Sequence, residues 1–102
     1  MADAADAGST LTVPLSGRAK VTLQLLAWSG TDVGGPVGSL TGAARGSGTA
    51  HATPTATAPA GSWVVSVWSD KQAEPRQWTA PATATERSNV AGVGTGDIAT
   101  LV

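Results

Sequence analysis

Residues 62–70 read Ser-Trp-Val-Val-Ser-Val-Trp-Ser-Asp, and the fold prediction starts from them. β-Branched and aromatic residues in a short run that follows a Gly favour a β-strand. Successive side chains of a strand point to opposite faces, so Trp63, Val65 and Val67 share one face. The other face carries Val64, Ser66, Trp68 and Asp70. Because Trp63 shares its face with two valines, the pattern predicts that Trp63 is a core residue.

Similar patterns predict further strands on either side of this one. In residues 10–16, Leu11, Val13 and Leu15 share one face, and Thr10, Thr12 and Ser16 share the other. Residues 20–28 alternate again after a short turn at 16–19. We expect these two segments to form an antiparallel hairpin. Shorter candidate strands follow at 76–80, 83–90 and 97–102. Short strands separated by Gly and Pro turns, without a helical pattern, predict an all-β fold, an antiparallel β-sandwich of the jelly-roll or Ig-like kind.

The Gly- and Pro-rich segment 29–61 fits this scheme least well. A structureless loop of this length is unusual in a compact domain, so a short strand within 51–58 is one expectation. A flexible Thr- and Pro-rich surface segment is the other, and the sequence leaves both open. The domain prediction is an arm at 1–9 followed by a single partial sandwich domain at 10–102.

The supply of large apolar side chains is low. Leu, Val and Ile together number only 18 of 102 residues, and Phe is absent. A domain of this size has to bury well over half of the surface that its unfolded chain exposes. The sequence also stops within an apolar run at 97–102. We therefore expect a sandwich that is incomplete at both ends and marginally stable.

Charge and composition exclude several kinds of partner and site. The net charge is −1 and the six basic residues are scattered, which argues against nucleic-acid binding. Zero Cys and a single His exclude disulfides, thiolate sites and multi-histidine metal sites. No apolar run approaches the roughly 18 residues of a membrane span, so no membrane insertion is expected. The acidic start is not a signal peptide, and we expect any export signal to lie outside this sequence.

The four Trp residues are the whole aromatic inventory, since Phe and Tyr are absent. Trp28, Trp68 and Trp78 share their predicted faces with polar side chains. An exposed indole on such a face can stack on a sugar or anchor a partner, so these three are the candidate ligand-binding residues. The alternative is that they cover the ends of the sandwich or pack beneath further strands.

Other chemistries find less support. Asp32, Asp70 and Asp97 lie near predicted strand ends, but their spacing matches no calcium loop, and Asp more often caps a turn. His51 lacks a nucleophile motif of the form Gly-x-Ser-x-Gly. The Gly-rich loop at 92–96 lacks both the Lys and the following helix of a phosphate loop. The sequence therefore predicts no catalytic residues, no metal, no cofactor and no enzymatic activity.

Three stretches resemble a known family. Residues 6–13, 20–32 and 61–71 (the last reading Gly-Ser-Trp-Val-Val-Ser-Val-Trp-Ser-Asp-Lys) are similar to a recurrent β-sandwich domain of large secreted or surface proteins of high-GC Gram-positive bacteria. Such proteins often also carry PKD, fibronectin type III or LamG-like modules. The resemblance implies an extracellular or cell-surface location, neighbouring domains, and further strands before and after this stretch. It implies no ligand residues.

Together these observations predict a non-catalytic extracellular module, a spacer or adhesion unit that contacts carbohydrate. Its expected partners are a polysaccharide or a surface protein. One alternative is a purely structural scaffold element that pairs through exposed strand edges. Another is an accessory fragment of a hydrolase, in which His51 would be needed for turnover.

Overall fold

The computed structural model describes residues 6–71 and 76–102. Within those ranges it contains three short strands, β1 (Trp68–Lys71), β2 (Asn89–Val90) and β3 (Ile98–Leu101), and no α-helix. The strands form one antiparallel sheet in the order β1-β3-β2. β1 pairs with β3 from Trp68↔Leu101 to Lys71↔Ile98, and β2 pairs with β3 at Asn89↔Leu101 and Val90↔Thr100.

β3 is the centre of the sheet and the centre of the core. Ala99, Thr100, Leu101 and the following Val102 are all buried, and Leu101 is only 2% exposed. Neighbouring residues of a strand face opposite sides, so burial of consecutive residues means that both faces of β3 are covered. The sheet is extended beyond the strands by backbone hydrogen bonds between Ser88 and Val102 and by an antiparallel bridge between Arg76 and Gly92.

The segment 20–26 lies against this sheet through polar side chains. Lys20 Nζ donates to Asp97 Oδ1 at 2.9 Å, Thr22 Oγ1 donates to the Ile98 carbonyl at 2.9 Å, and Gln24 Nε2 donates to Ser88 Oγ at 2.8 Å. The apolar residues that alternate with them, Val21, Leu23 and Leu25, are exposed. Exposure therefore alternates with the period of an extended chain, and the polar side of the segment faces the sheet.

The prediction of an antiparallel β-sandwich is wrong. Residues 6–71 and 76–102 contain one small sheet and no second sheet packed against it. The alternating segments at 10–16 and 20–28 form no strands, so the predicted hairpin is absent there. The physical reason is that alternation specifies which side chains share a face but not which backbones pair. With few large apolar side chains, the chain buries too little surface to hold two sheets together.

The accessible surface reflects this loose packing. It measures 8279 Å² for a 10.0 kDa chain, against about 5,200 Å² for a folded monomer of that mass. The radius of gyration is 15.7 Å, whereas a compact domain of this length has about 13 Å. Leu11, Val13 and Leu15, which we expected to be half-buried, are all exposed.

The other strand predictions have mixed outcomes. β3 lies within the predicted strand 97–102, and the predicted loop at 92–96 contains a turn in which Asp97 N donates to the Gly94 carbonyl. Only the ends of 62–70 and 83–90 become β1 and β2. No strand forms at 51–58. The predicted strand at 76–80 does not form; of its residues, Arg76 makes an antiparallel bridge to Gly92. The expected arm at 1–9 is described only from residue 6, where Ser9 N donates to the Asp6 carbonyl.

Two turns use Gly in the left-handed region. Gly61 has φ 81° in the turn closed by Ser62 N and the Pro59 carbonyl, and Gly96 has φ 75° just before Asp97. A side chain rarely adopts this conformation, so Gly at these positions permits the chain to enter the segment before β1 and to enter β3. Residues 6–71 and 76–102 contain no helical segment that could span a bilayer.

The buried hydroxyl of Thr100 generates a stability prediction. In the described ranges, Thr100 Oγ1 is buried without a hydrogen-bond partner. Because an unpaired buried hydroxyl is costly, Thr100→Val should leave the free energy of unfolding unchanged or raise it by up to about 1 kcal/mol. The matched control, Thr22→Val, removes a hydroxyl that is bonded to Ile98 and should lower that free energy by about 1 kcal/mol. Chemical denaturation of both variants measures the difference, and a stability loss in Thr100→Val would contradict it.

Candidate functional site

The structure separates the candidate tryptophans into two environments. Trp68 and Trp78 are half-buried beside β3. The Trp68 indole N–H donates to the His51 carbonyl at 3.2 Å, and the Trp78 indole N–H donates to the Ala99 carbonyl at 3.2 Å. Both indoles thus use their single donor on backbone oxygens. Their ligand-binding role stays a prediction, and their contacts give them a structural task.

His51 belongs to the same cluster. Its ring meets the Trp78 ring edge-on, with 5.7 Å between centroids and an interplanar angle of 77°. Its Nε2 lies 2.9 Å from the Gly48 carbonyl oxygen. Because a carbonyl oxygen can only accept a hydrogen bond, Nε2 carries the proton and donates it. Asn89 Nδ2 donates to the Trp78 carbonyl at 2.8 Å and so ties β2 to the same group. We name this set the His51 cluster: His51, Trp68, Trp78 and Asn89.

Trp28 lies in a separate, open groove. The groove has a volume of about 280 Å³ and is lined by Leu26, Ala27, Trp28, Ser29, Trp63 and Arg87. Trp63 is 68% exposed, so the prediction that it is a core residue is wrong. Val65 and Val67, which the alternating pattern placed on the same face, are exposed as well, and so is Val64, which it placed on the opposite face. We name this set the aromatic groove; Trp28 and Trp63 supply its aromatic rings and Arg87 its charge.

Arg87 is held at the groove by its backbone. Its N–H donates to the Val102 carbonyl at 2.7 Å, which fixes the residue beside the end of β3. Its guanidinium carbon lies 6.0 Å from the centroid of the Trp63 ring, a cation–π distance. No carboxylate of the described chain forms an ion pair with Arg87. The neighbouring Glu86 instead accepts a hydrogen bond from Asn89 at 3.0 Å.

A larger depression offers less chemistry. It is lined by Leu15, Gly17, Arg18, Ala19 and Lys20 and has a volume of about 490 Å³. The Lys20 ammonium is already bonded to Asp97 and to the Thr95 carbonyl at 2.6 Å. The lining contains no aromatic ring. The depression therefore has neither a stacking surface nor, apart from Arg18, an uncommitted charge.

The three acidic residues considered for calcium do not come together. Asp32 Oδ1 accepts from Gly34 N at 2.8 Å, which is a turn-capping bond. Asp70 lies in β1 opposite Ala99, and Asp97 pairs with Lys20. Over residues 6–71 and 76–102, no group of three or more His, Cys, Asp or Glu residues could hold a metal ion.

The Lys20–Asp97 pair has an electrostatic signature. The hydrogen bond from Lys20, with the charge of Lys20 and the backbone N–H groups of Gly94 and Val93, holds the pKa of Asp97 below its ordinary value of 3.8. The pKa of Asp97 is lower in the folded state than in the unfolded state. The pair therefore stabilises the fold at pH values above the ordinary pKa of 3.8. That contribution is lost as the pH falls through the folded-state pKa. Since the pair is exposed, its effect on stability is small.

Sequence reasoning missed Trp63 and Arg87. Period two shows which side chains share a face, but it does not show which face points inward. Arg87 follows Glu86 in a polar stretch and carries no motif. Its position depends on the long-range bond to Val102, which local sequence does not report.

Comparison with known proteins identifies no relative. No protein-family model, no curated protein and no solved structure matches the chain.

The ion pair gives a titration prediction. Lys20→Gln should raise the pKa of Asp97 towards its ordinary value, because the largest cause of the depression is the bond from Lys20. An NMR titration of the side-chain carboxyl carbon measures it. Arg18→Gln, which removes a nearby charge without touching Asp97, should leave the midpoint in place. An unchanged Asp97 midpoint in Lys20→Gln would be inconsistent with this pairing.

The His51 cluster gives a stability prediction. Trp78→Phe keeps an aromatic ring but removes the N–H that donates to Ala99, so unfolding should become easier by about 1 kcal/mol. The control is Trp63→Phe, because the Trp63 N–H donates no hydrogen bond within the described residues and its ring is exposed. Urea unfolding compares the two. Equal losses in both variants would refute a structural role specific to Trp78.

Proposed function

We propose that this chain is a non-catalytic contact module that assembles with a second copy of itself. One observation carries the proposal. Val21, Leu23 and Leu25 are 54%, 60% and 75% exposed, in a segment whose polar side chains are bonded to the sheet. We name these three residues the outer row.

Anchoring makes the outer row a fixed surface. Lys20, Thr22 and Gln24 each bond to a different point on or beside β2 and β3. Turning the apolar side chains towards the sheet would require the segment to rotate and break those bonds. The three apolar side chains of the outer row therefore remain in water. Regularly spaced apolar side chains held outward are typical of a surface that another protein covers.

Area and charge favour a second copy as that protein. The accessible surface exceeds that of a compact monomer by roughly 3,000 Å², whereas a standard interface buries only about 800 Å² from each partner. A net charge of −1 adds little repulsion between identical chains. A row with period two can also meet its own copy across a two-fold axis, because the same side chains then face each other.

The sequence suggested, as an alternative, a structural element that pairs through exposed strand edges. Our proposal is also self-association, but through the apolar side chains of the outer row. An extracellular or cell-surface setting, which the family resemblance implies, is part of the proposal. Adhesion to carbohydrate is a second candidate function. The exposed indoles of the aromatic groove favour it, because an aromatic face can stack on a sugar ring.

The assembly is tested by light scattering on size-exclusion fractions over a wide concentration range. The wild-type chain should reach twice its 10.0 kDa mass. Leu23→Glu should remain monomeric, because a charge would be buried in the centre of the outer row.

The control is Leu40→Glu. Leu40 is 88% exposed but lies outside the outer row, so this substitution makes the same chemical change elsewhere and should leave the dimer intact. A wild-type chain that is monomeric at every concentration contradicts the proposal, as does a Leu40→Glu variant that dissociates as completely as Leu23→Glu.

A further inference from the structure

We propose that the aromatic groove binds an acidic saccharide, with the indole rings of Trp28 and Trp63 contacting the sugar faces and Arg87 pairing with a carboxylate of the sugar. This site is separate from the outer row. It rests on three observations: two exposed indoles, a guanidinium that forms no ion pair with the described residues, and a groove of suitable size.

Both indoles are accessible to a ligand, although the Arg87 guanidinium lies over one side of the Trp63 ring. Trp28 is 40% exposed, which leaves part of its ring accessible. Trp63 is more exposed still. The two rings do not stack on each other, since the ring–ring contact within the described residues is that of His51 with Trp78. Unlike Trp68 and Trp78, neither groove indole spends its N–H on a backbone carbonyl of the described chain.

The size of the groove limits the ligand. A volume of about 280 Å³ lies just below the roughly 300–1,000 Å³ of pockets for larger small molecules. That space admits one or two sugar rings. The groove is also open, so a longer chain can pass through it while only a short section makes contact.

Arg87 specifies the charge of the ligand. A guanidinium presents a planar fork that can donate two parallel hydrogen bonds to a carboxylate. Its position 6.0 Å from the Trp63 centroid brings this fork beside a stacking surface. A uronic acid carries a ring and a carboxylate within one residue, so it can use both features at once. A neutral sugar can use only the rings.

The lining supports this division of tasks. Leu26 and Ala27 add apolar surface, and Ser29 adds a hydroxyl that can bond a sugar hydroxyl. Glu86, the nearest carboxylate in sequence, is held by Asn89 at 3.0 Å. Glu86 keeps its charge but forms no ion pair with Arg87 among the described residues, so the guanidinium donors are left for an anionic ligand.

The experiment compares two tetrasaccharides of equal length, tetragalacturonate and neutral maltotetraose. Because the chain contains no Tyr or Phe, its fluorescence reports on the four tryptophans alone. Titration should show binding of tetragalacturonate that is at least tenfold tighter than that of maltotetraose. Added salt should reduce the difference, because it screens the charge pair.

Variants divide the two contributions. Arg87→Gln should remove the preference and leave the two tetrasaccharides equal, whereas Arg45→Gln, a matched loss of charge outside the groove lining, should keep it. Trp63→Ala should weaken both. Circular dichroism of each variant checks that the fold is retained, which the exposure of both side chains favours.

A second readout needs no variant. In the NMR spectrum of the wild-type chain, the indole N–H signals of Trp28 and Trp63 should shift with tetragalacturonate, and those of Trp68 and Trp78 should not. The Leu23→Glu variant should bind equally well, so a failure of the assembly leaves this site testable. Equal affinity for both tetrasaccharides, no binding of either, or the same loss in Arg45→Gln as in Arg87→Gln would overturn the proposal.

Discussion

The burial of β3 is the constraint on which the rest of the structure depends. Its residues pair with β1 on one side and β2 on the other, and both of its faces are covered. Two of its carbonyls also accept bonds from outside the sheet, from Thr22 to Ile98 and from Trp78 to Ala99. Arg87 is held through the carbonyl of Val102, the next residue. The segment at 20–26, Trp78 and Arg87 are thus held by bonds to β3 or to the residues directly beside it.

The way the surrounding segments attach explains the unusual surface. A strand that joins a sheet uses its backbone and leaves its side chains free to point inward or outward by pattern. Segment 20–26 instead attaches through the side chains of Lys20, Thr22 and Gln24. Attachment by polar side chains turns the polar face towards the sheet, so the apolar face is left in water. The outer row is therefore exposed because of these bonds. Its exposure to water costs free energy, and an interface that covered the row would offset that cost.

The sequence predicted what local pattern can specify. The position of β3, the loop at 92–96 and the alternation along 21–27 and 66–70 agree with the structure. The sandwich and the buried Trp63 do not. Both errors have one cause: alternation identifies the two faces of a segment, whereas pairing and burial depend on partners that are distant in the chain. Gln24 lies 64 residues from Ser88, and no local signal reports that bond.

The same distinction separates the four tryptophans. An indole is a large apolar group with a single donor, and its role follows from where that donor is used. Trp68 and Trp78 direct it to carbonyls of His51 and Ala99, so their rings lie close to the sheet and tie segments together. Trp28 and Trp63 do not, and their rings remain at the surface beside a cation. A ring placed only to cover apolar surface needs no neighbouring charge. The backbone bond of Arg87 to Val102, with the guanidinium beside Trp63, is therefore the feature on which the proposed selectivity of this groove depends.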